Sequence, residues 1–378
     1  MIDTARQSSI IVAEPTYADG EHATVNSAIL QAIGSAFGPA VFAATPLHHA
    51  WVREAADAAA PALLRKDITV APSGGVNIHR MRVQWRALDG LVRDRVQRTL
   101  VLLSAGPETL LVARALVARY SRLRLFAVMH GNLASVVGWR SRDPRRRLID
   151  LRSALSMARH PRIRLILLEP HIRAAAAEAG LPHDFLVWPH PSPMHERPPP
   201  APWIPGPRLR LAFVGTGNRA KGFDDFLALH RSAPAAYDWT LVGRLDADYS
   251  PAEAIGIEHA SERLSRTEFL RQVRRADFAI IAFREDYRLI ASGSLLDCVA
   301  QRTPIIAVTN PMLAALARQY GPIGYLCADL AAAMELLTKP SRLQDRSAYN
   351  DFQQTLDAIQ RDRAPEALAR IVRRDLAS

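Results

Sequence analysis

The sequence has few cysteines and no long apolar run, and each shortage excludes a class of protein. Its 378 residues include two cysteines, Cys298 and Cys327, so we exclude a disulfide scaffold and a paired-CxxC zinc site. Two cysteines suit a reducing cytoplasm. No run of about 18 apolar residues occurs, so no membrane-spanning helix is predicted. Residues 1–9 include an acid and no long apolar stretch, so no signal peptide is expected.

Acidic residues are also in the minority. Lysine and arginine total 48 against 37 acids, a net charge of +11, which attracts nucleic acid, anionic lipid or phosphorylated ligands. Part of the excess lies between Arg140 and Arg152, in a predicted amphipathic helix with Leu148, Leu151 and Leu155 on one face. A solvated helix packed on a sheet and an anionic membrane surface both explain this cluster.

The charge also prompts the hypothesis of a nucleic-acid-binding protein. No recognised nucleic-acid-binding motif is present, and aromatic residues are only 7% of the chain and are not interleaved with the arginines. We therefore expect no nucleic-acid partner and keep this function as an alternative.

Proline is concentrated in one place. Residues 189–207 contain nine of the 26 prolines, and a chain that lacks these backbone donors forms neither helix nor central strand. We predict an extended hinge at 189–207 between a domain at 1–188 and a domain at 208–345. Residues 346–378 are predicted to be helices that pack back on the first domain.

Short apolar runs alternate with longer amphipathic segments in both halves. This alternation is typical of parallel sheets covered on both faces. The predicted fold class is therefore α/β, with two doubly wound, Rossmann-like domains that face a cleft, and ligands at the carboxyl ends of the strands. The apolar runs begin at Ile10, Ala40, Thr99, Leu123 and Ile163, and then at Leu209, Trp239, Phe278 and Pro304.

A glycine turn follows the first predicted strand of the second half. Gly215 and Gly217 precede Lys221 in the segment FVGTGNRAKG. Glycines let the backbone approach an anion closely, and the lysine adds a point charge. A diphosphate pocket and a plain strand-to-helix turn with a surface lysine both fit. The segment is no Walker A loop, and Ala220 replaces the last glycine of GxGxxG.

A second motif begins a predicted helix. Ser292, Gly293 and Ser294 precede an apolar helical segment, and the free N–H groups of a helix start attract negative charge. Asp297, about one turn in, is placed to accept hydrogen bonds from a ribose diol. A serine N-cap with an incidental acid is the alternative explanation.

Together, these motifs resemble the nucleotide-sugar half of GT-B glycosyltransferases, and the group-1 (family 4) type most closely. The segments FVG…KG.DDFL, WTLVG, LSRTEFLRQVRRADFAIIAF and SG.LLD…PIIAV agree in order and spacing over about residues 209–337. In that family the turn and its lysine contact the donor diphosphate, the helix start bears the phosphates, and an acid of an E-x7-E motif holds the ribose. The resemblance implies donor-binding roles for Gly215, Gly217, Lys221, Ser292, Gly293, Ser294 and Asp297.

The chain departs from the family pattern at three positions. The usual arginine five residues before the lysine is Thr216, so Arg219 is predicted to substitute for it. The first glutamate of the E-x7-E motif falls on Leu289, and its second is replaced by Asp297. The sugar and the stereochemical outcome therefore stay open, and so does a non-catalytic GT-B-like subunit.

Polar residues follow two predicted strands of the first half. Asp19, Glu21 and His22 follow the first strand, where GT-B enzymes often place a loop that shapes the acceptor cleft; a helix N-cap with first-turn acids explains them equally well. His130 follows the strand from Leu123, where the layout puts a histidine near the donor sugar or acceptor. Asp19 and His130 are our predicted catalytic residues. Glu169 and His190 are weaker candidates.

The resemblance implies a hexosyltransferase that needs no cofactor and no metal. It moves a sugar from a nucleoside-diphosphate sugar, its co-substrate, to a hydroxyl of a glycan or lipid-linked acceptor, in polysaccharide biosynthesis. His183, His190 and His195 lie in proline-bounded chain without helical ligand spacing, so no metal site is predicted. We expect a cytoplasmic protein, peripheral on the inner face of the membrane if the arginine cluster binds lipid.

Overall fold

The chain forms two units in a computed structural model. The first unit contains the described residues up to 192, Leu289–Ala291 and the described residues from Arg363 onward, and the second contains the described residues from 203 to Arg288 and Ser292–Asp362. The structure describes residues 10–56, 63–71, 78–93, 98–131, 133–134, 150–181, 184–192, 203–233, 235–259 and 264–377.

Each unit is built on a parallel sheet. The strands are β1 (Ile10–Ala13), β2 (Ala40–Ala44), β3 (Leu63–Asp67), β4 (Arg98–Leu102), β5 (Leu123–Val128), β6 (Ile163–Leu167), β7 (Leu186–Val187), β8 (Arg210–Val214), β9 (Asp238–Val242), β10 (Glu258–His259), β11 (Phe278–Ile281), β12 (Ile305–Val308) and β13 (Gly324–Cys327). Within the described residues the first sheet has the order β3-β2-β1-β4-β5-β6-β7 and the second β10-β9-β8-β11-β12-β13. All pairings are parallel.

Helices connect the strands and cover the sheets. They are α1 (Ala23–Phe37), α2 (Pro46–Ala56), α3 (Ile78–Val92), α4 (Pro107–Arg119), α5 (Leu151–Met157), α6 (Pro170–Glu178), α7 (Phe223–Ser232), α8 (Arg266–Arg275), α9 (Gly293–Gln301), α10 (Pro311–Tyr320), α11 (Leu330–Leu337), α12 (Pro340–Leu343), α13 (Arg346–Asp362) and α14 (Pro365–Ala377). Among the described residues, no helix has the length and apolar character needed to cross a bilayer.

The first sheet is apolar on both faces. Ile11 and Leu100 pack into one core, whereas Val12 and Val101 pack into another on the opposite face. This burial explains the continuous apolar runs. The prediction of two doubly wound parallel-sheet domains is confirmed.

The strand order reverses at one point in each sheet. In the first sheet β1 lies between β2 and β4, and in the second β8 lies between β9 and β11. Loops leave such a switch point in opposite directions and open a crevice at the carboxyl ends of the strands. The loops after β1 and β8 therefore occupy the positions where ligands of this fold class bind.

The C-terminal helices divide between the units. Helix α14 packs on α1 and adds Leu368 and Val372 to a core of the first sheet, whereas α13 packs on α9 in the second unit. The described ends of the proline-rich segment, residues 189–192 and 203–207, form neither helix nor strand.

Candidate functional site

The glycine turn after β8 brings distant side chains together. Gly215 has φ of +101°, and a Cβ atom there would lie 2.7 Å from both Lys221 Nζ and Ser294 Oγ. A Cβ on Gly243, after the neighbouring strand β9, would lie 2.1 Å from the Gly215 carbonyl oxygen. Only glycine leaves room here for the backbone, the ammonium and the hydroxyl.

The amides of the two turn glycines are already in use. Gly215 N donates to Val242 O at 2.8 Å, and Gly217 N donates to Arg244 O at 2.9 Å. A Cβ on Gly217 would lie 3.0 Å from the Phe223 ring. The amides of Gly215 and Gly217 are therefore not free to bind a ligand, and these glycines instead leave space for the neighbouring groups.

Lys221 places a positive charge beside Gly215. Its Nζ donates to Ser294 Oγ at 3.1 Å, and its backbone N donates to Asn218 Oδ1 at 3.0 Å. Burial lowers the pKa of Lys221, and the charge of Asp297 opposes that shift. No carboxylate in the described chain forms a salt bridge with this ammonium. A partly buried ammonium without a paired carboxylate favours an anionic ligand.

The start of α9 adds backbone donors. Ser292 is its N-cap and accepts from Leu295 N at 3.1 Å. Gly293 is exposed, and a Cβ added there would meet open space, whereas Ser294 is buried. The amides of Gly293 and Ser294 bond to no described residue, so this end of the helix dipole is available to negative charge.

Two predicted donor-site residues have ion-pair partners. Asp297 lies one turn into α9 and forms a 2.5 Å salt bridge with Arg266, and both side chains are largely buried. Arg219 is exposed and pairs with Asp224 at 3.3 Å, while a hydrogen bond with Tyr249 raises its pKa. The structure thus brings Lys221, Ser294 and Asp297 into one cluster, and it turns Arg219 toward Asp224.

Leu289 has a different environment. It is 1% exposed and lies in a core of the first unit with Leu102 and Ala127. Its side chain therefore contributes packing to that sheet.

In the first unit, the loop after β1 carries Asp19. The Asp19 carboxylate is exposed and accepts from Glu21 N at 3.0 Å. His22 follows at the N-cap of α1 with φ of +62°, a left-handed conformation that is strained for a non-glycine residue. Its ring stacks on Tyr17 with centroids 4.7 Å apart.

The ring of His130 packs against the ring of His22. The two ring centroids are 4.1 Å apart in an edge-on arrangement, and His130 is 6% exposed. Burial, together with the nearby His22 and His190, holds the pKa of His130 well below its ordinary value. Its Nε2 is buried without a partner among the described residues. The lowered pKa keeps the ring neutral, so Nε2 is available as a hydrogen-bond acceptor.

The weaker candidates Glu169 and His190 are held in a buried network. Arg363 binds the Glu169 carboxylate through both terminal nitrogens, at 2.7 and 3.1 Å. Burial raises the pKa of Glu169 despite that arginine, and lowers the pKa of His190 to about 4. The hydrogen bonds of Arg363 to Glu169 tie the chain at residue 363 to the end of β6.

Several predictions fall on residues outside the described chain. These are Arg140–Arg147 and Leu148 of the predicted basic helix, His183 and His195. Arg152 is described and donates to Ala179 O and Gly180 O. In the part of the chain that is described, no three His, Cys, Asp or Glu side chains cluster to hold a metal ion.

Sequence patterns missed a polar cluster around the loop after β1, formed by Glu14, Asn26 and His48. Glu14 carries the only available signal, because it is an acid directly after an apolar strand. Asn26 and His48 lie within helical segments and give none.

The sequence matches no protein-family model and no curated protein. Three solved structures match over at least 97% of the chain. Anabaena HepE in complex with UDP and glucose has a TM-score of 0.69 at 12% identity, covering 98% of this chain and 100% of that one. A glycosyltransferase from Rickettsia africae has 0.64 at 9% identity, covering 98% of each. The E. coli trehalose-6-phosphate protein bound with UDP-2-fluoro glucose has 0.62 at 9%, covering 97% and 98%. The chain thus shares the GT-B fold of solved glycosyltransferases.

Proposed function

We propose that the protein is a family-4-like hexosyltransferase. It transfers a sugar from a nucleoside-diphosphate sugar to a hydroxyl of a glycan or lipid-linked acceptor in polysaccharide or glycoconjugate biosynthesis. The convergence of Lys221 Nζ and Ser294 Oγ on Gly215, beside the start of α9, carries this proposal. These groups lie at the switch point of the second sheet, where this fold class binds ligands.

The proposed chemistry at this cluster is stabilisation of the leaving diphosphate. Negative charge grows on the diphosphate as the bond to the sugar breaks, and preorganised donors stabilise it there. Lys221 supplies a full charge, and the Gly293 and Ser294 amides supply the helix terminus. The proposal therefore assigns this task to the protein alone, without a metal or another cofactor.

The proposed acceptor chemistry uses the first unit. If the transfer inverts the anomeric centre, a base has to take the acceptor proton. His130 and Asp19 are the proposed residues. His130 offers a neutral ring with a free Nε2, and Asp19 offers an exposed carboxylate on a fixed loop.

Location completes the proposal. We place the protein in the cytoplasm, with Arg140–Arg152 against an anionic inner membrane face near a lipid-linked acceptor. Co-sedimentation with anionic but not neutral vesicles tests this part. No nucleic-acid partner is proposed; tight binding of generic DNA with a steep salt dependence would contradict that.

Thermal unfolding with UDP, GDP, ADP and TDP tests donor binding. UDP is the first choice because two of the similar structures hold UDP or a UDP-sugar. A nucleotide at 100 times its Kd stabilises by about 2.7 kcal/mol, a rise of roughly 5 °C or more. We expect Lys221→Ala to abolish the shift and Lys339→Ala, an exposed lysine paired with Glu335, to keep it. No shift with any of the four nucleotides would refute the proposal.

A hydrolysis assay separates the enzyme from a non-catalytic subunit of the same fold. The burial of Leu289 in the first unit, where family members have a glutamate, is the observation that favours a subunit. A true transferase releases sugar from its donor slowly in water, and Lys221→Ala lowers that rate. Equal background rates for both proteins, together with UDP binding, would favour the subunit.

A further inference from the structure

The loop of residues 15–22 is irregular, yet side chains fix most of its backbone. It links β1 to α1 without forming helix or strand. Four side chains from three parts of the unit supply its partners. Gln84 bonds to Pro15 O, Glu14 to Thr16 N and Tyr17 N, Thr45 to Ala18 O, and His48 to Asp19 O. The loop therefore has one conformation held from several sides, although its tip at Asp19 is exposed.

Glu14 is the centre of this network. Its carboxylate is 0% exposed. Oε1 accepts from the backbone of the loop, and Oε2 accepts from Asn26 Nδ2 at 3.1 Å and Ser104 Oγ at 2.7 Å. Four donors thus surround a buried acid, and such a group is tolerated only when its oxygens are satisfied.

The carboxylate fixes the orientation of Asn26. An oxygen acceptor faces the amide, so the group pointing at Glu14 is the NH2. The same Nδ2 lies 3.1 Å from His48 Nε2, and its second proton points there. The reversed amide would put its oxygen against the carboxylate. Asn26 Oδ1 has no described partner, which costs less than that repulsion.

Asn26 in turn fixes the tautomer of His48. Because Nε2 accepts from Asn26, the ring proton is on Nδ1. Nδ1 lies within hydrogen-bond distance of the Asp19 carbonyl oxygen and donates to it. The position of Asp19 is thus set by a chain of hydrogen bonds from Glu14 through Asn26 and His48.

We propose that His48 is a positioning residue for the transfer reaction, which acts by holding the Asp19 carbonyl and so the loop that carries Asp19 and His22. This inference rests on the proposed function, in which that loop serves the acceptor. His48 bonds to the Asp19 backbone carbonyl oxygen and not to the Asp19 carboxylate. It therefore acts through the loop. A shift of the loop by about 1 Å is enough to lower the rate of the transfer reaction strongly.

The neighbouring residue offers a matched control. His49 is also buried on α2, and both rings lie edge-on to Phe42, at 6.3 Å for His48 and 4.8 Å for His49. His49 Nε2 bonds to Lys66 O on β3, away from the loop. The two side chains thus share a helix, an aromatic neighbour and burial, and differ in their contact with Asp19.

The test compares His48→Phe, His48→Asn and His49→Phe in donor hydrolysis and transfer. Phenylalanine keeps the volume and loses the donor, whereas the asparagine amide nitrogen replaces Nδ1. We expect His48→Phe to lower kcat at least about tenfold with KM for the donor changed less than about twofold. His48→Asn retains most of the rate, and His49→Phe keeps kcat while losing stability. Hydrogen exchange of residues 15–22 is expected to rise about tenfold in His48→Phe alone.

The outcomes separate the two proposals. If His48→Phe keeps the turnover of the wild type, or if His49→Phe lowers turnover by the same factor, the positioning role is overturned and the transferase proposal stays intact. Unchanged exchange of the loop in His48→Phe would do the same. A wild type that turns over no nucleotide sugar would refute the proposed function itself, and the positioning role with it.

Discussion

The ammonium of Lys221 donates to the hydroxyl of Ser294 at 3.1 Å, although the two residues are 73 positions apart in the chain. One follows β8 and the other begins the helix after β11, and these strands are neighbours at the switch point of the second sheet. The contact joins the two sequence motifs that were each ambiguous alone.

Gly215→Ala is expected to weaken UDP binding at least about tenfold. The new Cβ would lie 2.7 Å from Lys221 Nζ and Ser294 Oγ, at a residue whose φ is +101°. Displacing the two groups and straining the backbone costs more than the 1.4 kcal/mol that a tenfold loss requires. Calorimetric titration measures the change. Gly90→Ala, in α3 with open space around it, is the control and keeps wild-type affinity; equal affinity in Gly215→Ala would show that the cluster does not bind UDP.

Asp297→Asn is expected to weaken UDP about tenfold and leave pyrophosphate binding unchanged. The carboxylate is proposed to accept from the ribose, which pyrophosphate lacks, while Lys221 and the start of α9 still hold the phosphates. The ratio of the two dissociation constants is the measurement. Asp357→Asn breaks another salt bridge of the same unit, with Arg302, and is expected to leave the ratio unchanged. Parallel losses for both ligands would assign Asp297 to the phosphates.

The free energy of unfolding is expected to fall as the pH drops below 6.5. Burial lowers the pKa of His190 to about 4, so the unfolded chain binds this proton more tightly than the folded chain. Stability is therefore lost from pH 6.5 down to about 4, by up to about 1.4 kcal/mol per pH unit for one histidine. Urea unfolding at several pH values across this range gives the slope of the unfolding free energy against pH. In His190→Gln this slope is expected to be smaller by the equivalent of about one proton. The exposed His79→Gln serves as the control, and an unchanged slope in His190→Gln would contradict the prediction.

Arg363→Met is expected to destabilise the protein by about 3–5 kcal/mol. Glu169 is buried, and the arginine supplies two hydrogen bonds and the compensating charge. Removing one partner leaves the other uncompensated, whereas replacing both by apolar residues restores much of the loss. Denaturant unfolding of Arg363→Met and of the double variant Glu169→Met/Arg363→Met measures both effects. Arg361→Met, an exposed neighbour, controls for the substitution, and a loss below about 1 kcal/mol in Arg363→Met would exclude a stabilising pair.

The strands that sequence patterns located share one property. All nine predicted apolar runs correspond to strands inside the sheets, whereas β3, β7, β10 and β13 were missed and are the four sheet edges. Inner strands are buried on both faces and read as continuous apolar runs. Two of the edge strands, β7 and β10, have only two residues each, and β3 carries Arg65, Lys66 and Asp67, whose charges discourage pairing with other chains.

The sequence motifs located residues that the fold brings together, whereas their role in binding a donor stays a prediction. The glycine turn, Lys221 and Ser294 do meet, as the motifs suggested. However, the amides of Gly215 and Gly217 donate to the carbonyl oxygens of Val242 and Arg244, and no local sequence pattern predicts these hydrogen bonds. Asp297 and Arg219 each have an ion-pair partner from another element, and these pairings depend on how strands and helices pack.

The sequence by itself determined the parallel α/β architecture and the places where its loops carry glycine, lysine and serine, because strand burial and helix starts leave local patterns in residue type. Only the tertiary structure decided which of those groups touch. His48 and His49 are adjacent and chemically identical, yet one holds the loop at Asp19 and the other an edge strand. Their difference arises because successive helical side chains point in different directions, and long-range packing brings a different backbone carbonyl within reach of each ring.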